Sequence, residues 1–228
     1  FSFLLLSCSK SKKPVSIGQD YEIIVVCSQS AWSGSVGDSI RTTLARNVAG
    51  LPEAEAEFDL VFVPQNDFSK ILQTHRNILM IEINASIKNS EVETLSDVWS
   101  QPQRVIKIKA KSDTAFINLF SKHQDAIRDL FSMSESRRLD EQNALSRNAE
   151  AETILESDFG IKMPISKEFK LAKKTTDFIW LKADSSANYL SLMIYTYPFQ
   201  DTSLMSPAAV MTARERYAKN CNAPSSGG

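Results

Sequence analysis

The residues able to do chemistry are few and scattered. Two histidines, His75 and His123, stand far apart and lack the spacing that places two imidazoles on one helix face, so no zinc site is predicted. Three cysteines, Cys8, Cys27 and Cys221, form neither a C-x-x-C pair nor a Cys…His set with metal-ligand spacing. Serines and acids are plentiful, which is why a Ser-His-Asp set written from the sequence alone carries no weight. Thr74-His75-Arg76-Asn77 gathers polar groups immediately before an apolar run. These residues read either as a small polar site or as a helix end, where cations meet the last carbonyls and the negative end of the dipole. Trp32 and Trp99 stand in polar connections with Asp38 and Asp97 close by in sequence. Indoles so placed can stack on a sugar or peptide, or simply cap a core.

The familiar nucleotide and nucleophile motifs are absent. GSVGD is too short and too poor in glycine for a phosphate loop or dinucleotide fingerprint, and no G-x-S-x-G elbow occurs. The chain has 228 residues, seven of them glycine, with 43% hydrophobic and 23% charged residues and a formal net charge of −1. That composition is globular, with room for one large or two small domains. A near-neutral balance argues against nucleic acid as the main partner, because phosphate binding needs a basic excess. No cofactor and no metal is expected.

The opening FSFLLLSCSKSKKP is too short for a membrane span but has the length and order of the end of a signal-peptide apolar region. Leu5-Leu6-Ser7-Cys8 resembles a lipobox, in which the peptide is cut before a cysteine that becomes lipidated. SKSKKP then reads as a flexible tether, and residues 1–18 are expected to contribute nothing to the fold. The alternative is a buried amino-terminal strand with Cys8 in the core. Cys27 closes the run Ile23-Ile24-Val25-Val26 and packs as a small hydrophobe, although a disulfide to Cys221 would be open to it in an oxidising compartment.

The elements that must position these residues follow from periodicity. YEIIVVCS (21–28), FDLVFVP (58–64) and NILMIEI (77–83) are continuous apolar strands. The loop after the first strand leads into a helix near Ile40, with Ser35-Val-Gly-Asp38 as its capping box. A short helix is expected over 67–75, and RVIKIKA (104–110) alternates like an edge strand. A helix opening at Ser112-Asp113 carries Phe116, Leu119, Phe120, Ile127, Leu130 and Phe131 at helical spacing, and Arg137-Arg138 and Lys173-Lys174 read as solvated faces. Residues 132–160 remain helix-compatible but polar, as in a bridging linker. Three strands then follow within 169–197, and Pro207 opens a last helix at the position where proline is tolerated. The fold class is α+β. A tether (1–18) precedes a βα-rich unit with a mixed sheet (19–131), a helical linker (132–160) and an antiparallel β-β-β-α unit (161–228), expected to be incomplete.

Several stretches resemble the lipoproteins of Bacteroidetes grouped as domain-of-unknown-function family 4837: LLSC, VVCSQSAWSGSVGDSIR, GLPEAEAEFDLVFVP, FSKILQTHRNILMIEI, DVWSQPQ, FGIKMPISKEFKLAKKTTDFIWLKA and IYTYPF. The resemblance covers nearly the whole chain, most specifically Trp32 through Asn77. It implies a lipid-anchored envelope protein and assigns no activity or catalytic residue.

The leading expectation is therefore a periplasm-facing lipoprotein of the bacterial cell envelope. Cys8 would anchor it to the membrane, and it would bind an envelope protein, a peptide or a glycan. A hydrolase of envelope polymers and a structural subunit of an envelope complex are the alternatives. The first and third strands are expected to run parallel, placing Trp32, Trp99, Asp38 and Asp97 around one cleft at their carboxyl ends. His75, Arg76 and Asn77 form the weaker candidate, on the opposite edge.

Overall fold

The computed structural model describes residues 12–49, 51, 53–144, 146–184 and 189–222. The chain divides into two compact units, Phe1–Arg138 and Leu139–Gly228. The class is α+β: the first unit holds a five-stranded mixed sheet and the second a three-stranded antiparallel one.

In the first unit, β1 (Glu22–Cys27), β2 (Asp59–Pro64), β3 (Asn77–Ile83) and β5 (Arg104–Ala110) run parallel, while β4 (Glu91–Ser96) runs against β5. The sheet order is β2-β1-β3-β5-β4. Ile23, Val25 and Cys27 face one side of β1 and Ile24 and Val26 the other, so both faces are buried and the strand reads as an unbroken apolar run. The first face is covered by α2 (Ser35–Leu44), through Val36, Ile40 and Leu44, and by α4 (Asp113–Ala144), through Phe116, Phe120, Ile127 and Phe131. Phe68, Leu72, Val98 and Trp99 cover part of the second face; Leu72 lies on the single-turn α3 (Lys70–Gln73).

Three local expectations are corrected here. The loop after β1 contains a short helix, α1 (Gln29–Ser33), capped by Ser28. Ser35 is already the first residue of α2 and Gly34 its cap, so no capping box forms. Gly37 has a packing reason instead: a Cβ there would strike the Trp32 carbonyl, so only glycine lets α2 pass this close to α1. β5 is an interior strand, because the polar stretch EVETLS supplies β4 outside it. Lys107 and Lys109 stand opposite Glu93 and Glu91 across the ladder, so their alternation marks a solvated face rather than a sheet edge.

Residues 14–17 are not a free tether. The Ile17 amide donates to the Thr74 carbonyl (3.0 Å) and the Arg76 amide to the Ile17 carbonyl (2.9 Å). The Ser16 amide donates to Gln101 O (3.2 Å) and the Gln101 amide to Pro14 O (2.9 Å). These bonds set short parallel bridges along the amino-terminal edge of the sheet.

The expected linker over 132–160 is divided between the units. α4 carries through to Ala144, and α5 (Ala149–Phe159) places Ala151 and Leu155 in the second core. There they pack with Ile165, Ile179 and Leu181 on one face of the sheet formed by β6 (Lys170–Lys174), β7 (Phe178–Asp184) and β8 (Tyr189–Tyr195). On the other face Tyr217 of α6 (Pro207–Asn222) stacks on Tyr195 at 4.4 Å and on Phe178 at 5.9 Å, and its hydroxyl donates toward Asp177. Pro207 opens α6 as expected.

Candidate functional site

The order of the parallel strands places a topological switch between β1 and β3. The chain leaves β1 toward β2 and leaves β3 toward β5, and open sheets of this kind hold ligands where the two departures diverge at the carboxyl ends. A cavity of about 410 Å³ lies there. Its floor is Val26, Met80, Ile81 and Ile108, and its polar groups come from Ser28, Gln65, Glu82, Asn84, Lys107 and Lys109. β1 and β3 pair only from Ile24–Ile78 to Val26–Met80 and then part. The Gln65 side chain takes up the carbonyl this leaves free, its Nε2 donating to Ile81 O at 2.9 Å. The separation of the strands is thereby satisfied in its hydrogen bonding without being closed.

The cavity wall carries mixed charge. Lys109 lies 3.0 Å from Glu91, which raises its pKa above the ordinary lysine value through the hydrogen bond and charge of that carboxylate. Glu82 stands beside Lys109 in register, and Met80 beside Lys107. Ammonium, carboxylate, amide and hydroxyl groups over an apolar floor can orient a ligand that both donates and accepts hydrogen bonds. Among the described residues, no histidine or cysteine lines the cavity.

A second polar assembly occupies the opposite, amino-terminal edge. Glu135 lies one helical repeat beyond Phe131 on the buried stripe of α4 and is 1% exposed. Its carboxylate accepts from Arg138 (2.6 Å), from Asn77 Nδ2 (2.8 Å) and from the Tyr21 amide (3.0 Å). Arg138 also reaches Asp20 at 2.9 Å, and Arg76 reaches the same carboxylate at 2.8 Å. Beside them His75 Nε2 stands 2.6 Å from Glu22. Burial depresses the His75 pKa, with Glu22 pulling the other way. A neutral ring donating from Nε2 leaves the Nδ1 lone pair buried without a partner. Gly18, at φ +109°, packs on this imidazole, and a Cβ there would overlap the ring. The assembly spends its charges on one another, so its role is to tie α4 and the amino-terminal segment to the sheet.

The sequence-predicted candidates therefore separate. His75, Arg76 and Asn77 do come together, but as parts of this buried tie; Arg138, expected on a solvated face, is its guanidinium donor. Trp32 and Trp99 do not share a cleft. Trp32 stacks on Phe62 at 5.2 Å on the α2 side of the sheet, under the Arg41 guanidinium at 4.6 Å. Trp99 packs edge-on against Phe68 at 5.8 Å on the other side. β4 is the reason. It runs antiparallel, so the loop that follows it returns to the amino-terminal edge, away from Trp32. Asp38 pairs with Arg41 at 2.7 Å. Asp97, at φ +54°, closes its own loop by accepting from the Gln103 amide at 2.8 Å. Cys8 lies outside the described residues. Cys27 is a buried free thiol, pushed up to about 11 by desolvation.

Two signals could have found what sequence reasoning missed. A carboxylate continuing the apolar stripe of α4 marks the buried network. The crevice residues Ser28, Gln65, Glu82, Asn84, Lys107 and Lys109 follow from the switch-point rule once the strand order is known.

The first unit is thus a doubly wound α/β sheet with one antiparallel edge strand, and the second a small antiparallel sheet with a helix on each face. The chain belongs to the family described as Domain of unknown function (DUF8532), whose model matches residues 16–144, more than half its length. Residues 148–223 match a second family, Domain of unknown function (DUF4837). The family resemblance read along nearly the whole chain thus has its model match in the second unit, with a separate family over the first. No curated protein and no solved structure matches the chain.

Proposed function

We propose that the protein is a lipid-anchored binding protein of the bacterial cell envelope, facing the periplasm. In this reading it holds a peptide or glycan in the crevice at the carboxyl ends of β1, β3 and β5. The observation that carries the binding role is the separation of β1 and β3 beyond Met80, with Gln65 holding the Ile81 carbonyl at the floor of the crevice. The anchor is supported by Leu5-Leu6-Ser7-Cys8 and the basic stretch that follows. A hydrolase is favoured less, because the buried histidine and its carboxylate neighbours stand on the edge away from the crevice.

Titration of the full chain with soluble peptidoglycan fragments tests the binding role. Saturable binding that Lys107→Glu weakens on the order of tenfold supports it, the scale of one well-placed polar contact. Absence of binding, or binding that Lys107→Glu leaves unchanged, refutes it. The anchor is tested separately by detergent phase partitioning of the full-length gene product: Cys8→Ala should move the protein to the aqueous phase.

A further inference from the structure

The segment 15–17 has its polarity inverted. Successive residues of an extended chain point to opposite sides, and a surface strand ordinarily turns its apolar side inward. Here Ser16 faces in, at 9% exposure, while Val15 is 78% and Ile17 45% exposed. Their bridges to Gln101 and His75 set both along the amino-terminal edge of the sheet. Ile71, 72% exposed on α3, belongs to the same edge, since Ile17 bonds to Thr74 and the Thr74 amide closes back on Ile71 O at 3.0 Å. Exposed lysines flank the three: Lys12 and Lys13 before the segment and Lys70 beside Ile71. Asp20, three residues beyond Ile17, is held by Arg76 and Arg138, the Lys13 ammonium donates to the Asp97 carbonyl, and exposed Asp67 stands three residues before Lys70.

We infer that Val15, Ile17 and Ile71, with Lys12, Lys13 and Lys70, form a membrane-contacting patch that seats the amino-terminal edge of the sheet on an anionic lipid surface. The chain supplies the geometric reason. Pro14 is fastened to Gln101, and only five residues separate it from Cys8, a reach of at most about 20 Å. The orientation rests on the reading of Cys8 as the anchor: a lipid there brings this edge, and not the crevice, to the bilayer. Exposed branched apolar side chains with lysines beside them in sequence suit that interface, the former entering the headgroup boundary and the latter meeting anionic headgroups. The crevice, at the other end of the strands, is then left open to the periplasm.

The test places a fluorophore at Ile71→Cys or at Asn84→Cys in the processed, acylated protein, with Cys221→Ser in both; buried Cys27, its thiol pushed up to about 11, takes no label. The protein is reconstituted in phosphatidylglycerol-containing vesicles bearing a lipid-linked quencher. Quenching at position 71 is expected to exceed that at 84 several-fold. Val15→Ser with Ile17→Ser should bring the two level, with the far-ultraviolet circular dichroism unchanged. Equal quenching at both positions in the unsubstituted protein overturns the patch while leaving the anchor intact. If mass spectrometry finds no lipid on Cys8, the anchor reading fails, and the same label pair is read on the unacylated chain carrying Cys8→Ser, mixed with the vesicles. Preferential quenching at 71 there still upholds the patch, and its absence overturns it. A dimer in sedimentation equilibrium that the two serines dissociate would assign the patch to a second copy and overturn the membrane reading.

Discussion

Asn77 Nδ2 lies 2.8 Å from Glu135 Oε1, which joins the first residue of β3 to a side chain of α4 that is fifty-eight positions distant and buried in the core. The same amide donates to Glu22 O at 3.2 Å, so one side chain links β3, β1 and the helix. Most of the buried polar groups of the first unit stand within this neighbourhood.

Removing one partner from such a network leaves the others charged and buried. Glu135→Ala is expected to destabilise the first unit by about 3–5 kcal/mol, because the Arg138 guanidinium and the Asn77 amide each lose their buried carboxylate acceptor, keeping only Asp20 and the Glu22 carbonyl. The double replacement Glu135→Met with Arg138→Leu should cost much less, since no orphaned charge remains. Urea denaturation of both variants measures the difference; equal losses would mean the carboxylate is not the organising group.

His75 makes part of the stability depend on pH. Its folded pKa is lowered by burial, so the folded ring binds a proton less readily than the ring in the unfolded chain. The contribution is complete above the ordinary histidine value of about 6.5 and is lost as pH falls from there through the folded value. Denaturation midpoints measured between pH 8 and 5 should decline on the acid side, and His75→Gln should flatten that part of the curve. A slope that His75→Gln leaves unchanged would assign the decline to other groups.

The amino-terminal segment is expected to matter for stability. Deleting residues 12–17 removes the four backbone hydrogen bonds between the Pro14–Ile17 stretch and the sheet edge, at about 1 kcal/mol each, and should lower the melting temperature by several degrees. Gly18→Ala should act in the same direction, through overlap with the His75 ring and a φ of +109° that alanine rarely adopts. A melting temperature unmoved by both changes would show that the segment is not held in solution.

Local pattern was sufficient wherever a residue's environment follows from its neighbours along the chain. NILMIEI and RVIKIKA become strands with the predicted bounds, the phenylalanines of α4 face the core, and Pro207 opens a helix. Apolar periodicity reports burial directly, because one face or both must leave water. It is silent on which strand lies beside which. EVETLS alternates too weakly to be recognised, since an edge strand over a solvated face has little apolar surface to arrange. Yet that strand reverses the chain and sends Trp99 to the edge opposite Trp32.

The polar residues show the same division. His75, Arg76 and Asn77 are adjacent in sequence and could be named as a cluster. Glu22, Glu135 and Arg138 join them only because α4 packs across the sheet. The sequence by itself determined the elements and the buried faces, because those depend on periods of two and 3.6 residues. The tertiary structure alone decided the crevice between β1 and β3, the partners of the buried charges and the inward turn of Ser16. Each of these depends on contacts between residues far apart in the chain, and no local period encodes them.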